Sequence, residues 1–113
     1  MPLKLNHEDY DQLTVIALQG DLTDEGVDDF RRVSIERVDH DIRDFVLDLS
    51  ETEFVDSRGL ESLVWLQELA AERLGQVRLA CTTENVCKIL ELTRLAGRFD
   101  AHPDVDTAIK SLR

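Results

Sequence analysis

The strongest constraint on the fold is an alternation of two periodicities along the chain. The runs LTVIALQG (13–20), FVLDLS (45–50) and QVRLAC (76–81) are short and rich in branched apolar residues, as strands are. Between them lie stretches whose apolar residues recur every three or four positions, the spacing of an amphipathic helix. Strand, helix and strand in succession require a crossover, and crossovers of this kind build a parallel sheet. The weaker run LKLNHED (3–9) precedes the first strand closely and reads as an edge strand pairing with it, which makes the sheet mixed. The expected class is α/β, a mixed β-sheet of about four to five strands with about four helices.

Helix ends can be placed as well. Thr23 or Asp24 can cap a first helix running to about Val38, with Val27, Phe30, Val33, Ile35 and Val38 inward. A second helix begins at Ser57 and shows Leu60, Leu63, Val64, Leu66, Ala70 and Leu74. It ends at Gly75, a residue suited to a left-handed C-cap. Thr83 caps a third helix with Val86, Ile89 and Leu90 on its inner side. FDAH (99–102) reads as a short last strand, and Pro103 to Leu112 as a last helix with proline at a tolerated early position.

The 113 residues match one domain, expected to span 1–113. No apolar run approaches the roughly 20 residues of a membrane-spanning helix. The N-terminal MPLKLNHEDY has no apolar centre of the kind a secretory leader needs, so a cytoplasmic location is expected. A net charge of −11 argues against nucleic acid and anionic membranes as partners, because both are polyanions. A solvated acidic surface accounts for that charge, and so would steering of a basic protein partner. Cys81 and Cys87 form no CxxC pair, and His7, His40 and His102 are scattered, whereas zinc needs about four ligands. The two thiols read as small buried apolar residues, and nothing indicates a metal or a bound cofactor. The oligomeric state is not fixed by the sequence.

Ser57 stands where the clearest strand gives way to the second helix. Three roles are open to it. Serine is a favoured N-cap, although Asp56 could serve equally and leave Ser57 as the first helical residue. As a nucleophile it is poorly supported: V-D-S-R-G is not G-x-S-x-G, and no histidine is placed near it as a base. As a modified residue it has better support, because a phosphate there would meet free helix amides and the guanidinium of Arg58. Glu51, Glu53, Asp56 and Glu61 crowd the same stretch, so a phosphate would add charge to an already negative surface. That behaviour is a switch. A P-loop of the form GxxxxGK[ST] is absent from the sequence, which leaves an enzyme or nucleotide-binding reading without a motif.

The run FVLDLSETEFVDSRGLESLVWL, then GQVRLACTTENVCKILELTRL, with ALQGDLT near the start, resembles the STAS-domain family of bacterial anti-sigma-factor antagonists. The family's D-S-x-G-L motif reads D-S-R-G-L at 56–60. The resemblance implies a small mixed sheet with helices packed mainly on one side. It implies that Ser57 is a phosphorylation site and that the unmodified form binds an anti-sigma factor which is also a serine kinase. Binding frees the sigma factor, phosphorylation breaks the complex, and a serine phosphatase resets it. ATP and magnesium then belong to the partner. The residues carried into the partner-binding surface are Asp21, Thr23, Asp24, Asp56, Arg58, Gly59, Glu61 and Trp65.

Two departures bear on that surface. A second serine often follows the phosphorylated one in the family, where this chain has Arg58. An arginine there could hold the phosphate, obstruct a kinase pocket or simply be solvated. The family's G-[DE]-L-D motif reads G-D-L-T here, so Thr23 replaces an acid, with Asp21 kept and Asp24 available as a stand-in. Gly59, early in a helix, implies either a close partner surface or tight helix packing. Trp65 is an interface anchor or is partly buried beneath the last helix. A competing role is a STAS scaffold, or an accessory subunit of a signalling or transport complex, that acts without phosphorylation.

Overall fold

A computed structural model describes residues 2–112. Strand β1 (Lys4–Tyr10) and strand β2 (Leu13–Gln19) form an antiparallel hairpin. Then follow α1 (Asp24–Asp39), β3 (Asp44–Glu51), α2 (Ser57–Glu72), β4 (Val77–Ala80), α3 (Glu84–Leu92), a 3₁₀ turn, β5 (Asp100–His102) and α4 (Val105–Lys110). The five strands lie in sequence order, and β2 to β5 are parallel. This is the mixed α/β sheet that the alternation of periods requires.

The order explains where the helices go. Each crossover from β2 to β5 steps in the same direction, and right-handed connections then put α1, α2 and α3 on one face. Alternate residues of the strands supply that face. Ile16, Leu18, Phe45, Leu47, Leu49, Val77 and Leu79 pack with Val27, Phe30, Leu63, Leu66, Val86 and Leu90 in the main core. The intervening residues Leu13, Val46 and Ala80 meet Ala108 of α4 on the other face of the sheet. Helices therefore pack mainly, but not wholly, on one side.

Several expected details differ. The left-handed residue after α2 is Leu74, at φ 62°, and it is exposed instead of inward. Gly75 is required for a different reason: a Cβ there would overlap the carbonyl oxygen of Arg43 on the neighbouring connection. Ile35 faces solvent because Ser34 takes the inward place one residue earlier, its hydroxyl donating to the Phe30 carbonyl at 2.8 Å. Pro103 lies outside α4, which is capped by Asp104 through the Thr107 amide. Cys81 and Cys87 are half-buried free thiols, not fully buried ones, and Cys87 Sγ lies 3.2 Å from Thr82 Oγ1.

Candidate partner-binding site around Ser57

Parallel strands end together, so the N-termini of α1, α2 and α3 share the edge of the sheet beyond the C-terminal ends of β2, β3 and β4. Two loops meet there, 20–23 after β2 and 52–56 after β3. They are zipped by backbone bonds from Gly20 N–H to Glu51 O (3.1 Å), from Leu22 N–H to Phe54 O (3.1 Å) and from Asp56 N–H to Leu22 O (3.2 Å). Leu22 and Val55 form an isolated parallel bridge, and both are buried. The loops are thus an extension of the sheet beyond β2 and β3, which gives the site a rigid floor.

Acidic side chains complete the joint. Asp21 Oδ1 accepts from the amides of Glu53 (3.2 Å) and Phe54 (3.1 Å), holding the second loop to the first. Asp56 does more. Its Oδ1 accepts from the Gly59 amide at 2.8 Å, capping α2, while its Oδ2 accepts from the Asp24 amide at 3.0 Å in the first turn of α1. One carboxylate therefore ties two helix N-termini, each of which favours negative charge. Thr23 is the N-cap residue of α1 by position, but its side chain makes no capping bond; the Gly26 amide donates instead to the Thr23 backbone carbonyl at 2.9 Å.

Ser57 is consequently not the cap. It is the first residue of α2 and is exposed, and its hydroxyl has no hydrogen-bond partner among the described residues. Arg58 points across to α1, its Nη1 lying 2.9 Å from Asp24 Oδ1 and its Nε 3.9 Å from Glu61 Oε2. Gly59 is buried against the floor: a Cβ there would overlap the Leu22 carbonyl oxygen and come within 2.7 Å of Val55 Cγ1. Tight packing of helix on loop, one of the two explanations open for this glycine, is what the structure contains.

Along the outer stripe of α2 runs a groove of about 430 Å³, lined by Ser57, Leu60, Glu61, Val64, Trp65, Glu68 and Leu95. Trp65 is half-buried at its far end, with the Arg31 guanidinium of α1 5.2 Å from the ring centroid. It does not lie beneath the last helix, since α4 is on the opposite face of the sheet. Phe54, next to the site and 49% exposed, was not singled out in the sequence, although an aromatic residue in the acidic stretch ETEFVD was the available signal. Leu95 carries no such local signal, because it follows α3 in the chain and reaches the groove only in the tertiary structure.

Fold and site together define a small α/β domain presenting an acidic, apolar-grooved edge around one free serine hydroxyl. The family model described as STAS domain matches residues 4–108, and the chain belongs to that family. Among solved structures it is similar to an anti-sigma factor antagonist from Mycobacterium paratuberculosis, with 23% identity over 98% of this chain and 94% of that one, at a TM-score of 0.85. It is similar to the anti-sigma factor antagonist SpoIIAA in its unphosphorylated form, with 18% identity, 97% and 96% coverage and a TM-score of 0.83; the Bacillus protein is also solved in a phosphorylated form. A sulfate transporter family protein from Wolinella succinogenes is similar at 15% identity, 93% and 88% coverage and a TM-score of 0.78. No curated protein sequence matches significantly. No helix among the described residues is long and apolar enough to cross a membrane.

Proposed function

We propose that this chain is an anti-sigma-factor antagonist, a non-catalytic binding module switched by phosphorylation of Ser57. The observation that carries the reading is the free Ser57 hydroxyl. Asp56 performs the capping that would otherwise explain a serine here, and the hydroxyl is left exposed beside a groove. The unmodified form binds a serine-kinase anti-sigma factor through Asp21, Thr23, Asp24, Asp56, Arg58, Gly59, Glu61 and Trp65. Of these, Asp21, Asp56 and Gly59 act by shaping the joint between the loops, whereas Arg58, Glu61 and Trp65 offer side chains to the partner. In the modifying step the Ser57 oxygen bonds to the γ-phosphorus of ATP held by the kinase. The bond to the ADP oxygen breaks, and the hydroxyl proton passes to a base of the kinase. A serine phosphatase hydrolyses the ester.

The added charge, about −1.5 to −2, falls among Glu53, Asp56 and Glu61, so a surface matched to the unmodified form is repelled. The second reading, a STAS scaffold or accessory subunit working without phosphorylation, draws on the likeness to the sulfate transporter family protein. Intact mass and fragmentation of the protein from its own cells separate the two. One phosphate on Ser57 is expected, and an unmodified chain across growth conditions favours the scaffold. In calorimetry against the kinase, Ser57→Ala should bind and Ser57→Asp should not. Because the hydroxyl is unbonded, Ser57→Ala should also unfold within about 0.5 kcal/mol of the natural chain.

A further inference from the structure

Arg58 is the cation that the structure sets among the acids of this site. It contacts Asp24 at 2.9 Å and Glu61 at 3.9 Å, and the side chains of the Arg58–Asp24 pair are 49% and 68% exposed. Ion pairs this exposed contribute little to stability, so the guanidinium can leave Asp24 at small cost. Glu61 lies one turn beyond Ser57 and lines the same groove, so a guanidinium in contact with Glu61 is within reach of the Ser57 stripe. Asp56, by contrast, has both oxygens engaged by backbone amides and stays in place.

We propose that Arg58 is the receiver of a Ser57 phosphate within the same chain, its guanidinium leaving Asp24 for the phosphate oxygens. The inference rests on the reading of Ser57 as a modified residue. A phosphate carries more charge than one carboxylate, and its oxygens match the planar guanidinium fork. Modification then changes the surface at two places. The phosphate is held and partly neutralised on α2, and Asp24 loses its cation at the start of α1. A partner that docks over the Arg58–Asp24 pair meets a bare carboxylate as well as the phosphate.

The test uses the chain with phosphoserine incorporated at position 57 during synthesis, so it needs no native kinase. Mass analysis of the cellular protein tests the underlying reading separately. The phosphate's second ionisation, about 6 in a free phosphoserine, is followed by ³¹P NMR. Arg58→Gln should raise it by about half a unit or more, and Arg58→Lys should restore part of the difference. The Arg58 Nε–H resonance should shift on Asp24→Asn in the unmodified chain and should ignore that substitution in the phosphorylated one. A titration unmoved by Arg58→Gln overturns the proposal. So does an Nε–H resonance that still answers to Asp24→Asn when Ser57 carries the phosphate.

Discussion

Replacing Asp56 tests the architecture of the site most directly, because its two oxygens serve two helices. Removing an N-cap side chain costs about 1 kcal/mol, within a range of about 0.5–2. The Asp24 amide would lose a second bond, to a charged acceptor, worth about 1 kcal/mol at this partly exposed position. Loss of one negative charge beside two helix N-termini adds about 0.3–1 kcal/mol. Asp56→Ala should therefore destabilise the fold by about 2–3 kcal/mol, the sum of these contributions. Asparagine caps a helix as well as aspartate, yet its amide nitrogen cannot accept from the Asp24 N–H. Asp56→Asn should thus keep the α2 cap and lose about 1–2 kcal/mol. Urea unfolding gives both values, and amide chemical shifts show which bond is lost. In Asp56→Asn the Asp24 resonance should move far more than that of Gly59. A fully stable Asp56→Asn, or an Asp56→Ala loss under about 0.5 kcal/mol, would refute the shared cap.

Three further outcomes follow from single contacts. Gly59→Ala would stabilise an open helix by about 0.5–1 kcal/mol, but overlap with the Leu22 carbonyl should make it destabilising by about 1–3 kcal/mol in thermal or urea unfolding. The Thr107 amide and hydroxyl hold the Asp104 carboxyl below its ordinary value. Its contribution to α4 is present above the ordinary carboxylate value and is lost as pH falls through the lowered one, and the Thr107 amide shift should report that midpoint. Burial, then the Asp48 and Asp104 charges, push the Cys81 thiol up, so its alkylation rate should reach half-maximum at a higher pH than that of a free cysteine. The stability linked to the Cys81 thiol is present below the ordinary thiol value and declines as pH rises through the raised one; an alkylation midpoint at or below that of a free cysteine would contradict the burial.

Much of the site was legible because its parts are local. Residues 56–60 carry the D-S-R-G-L motif, and a strand before it with a helix after it is enough to put Ser57 at a helix start. What Ser57 does there was not legible. Both Asp56 and Ser57 are good caps, and the choice between them is made by the Asp24 amide, which holds the other Asp56 oxygen. The apolar spacing of α2 marks the buried Leu63, Leu66 and Ala70 but runs on to the exposed Leu74, because the helix ends before the apolar pattern does.

Sequence by itself determined the alternation of strand and helix, the parallel sheet that alternation requires, and the helix faces that supply its core. Those properties arise from period and propensity, which act over a few neighbouring residues. The three-dimensional fold alone decided that Asp56 binds α1, that Arg58 pairs with Asp24, that Gly59 has no room for a side chain, and that Leu95 joins the groove. The Asp56 and Arg58 contacts join residues 32 and 34 positions apart, across the crossover between adjacent helices. No local pattern encodes them, because their partners become neighbours only when β2 and β3 align in the sheet.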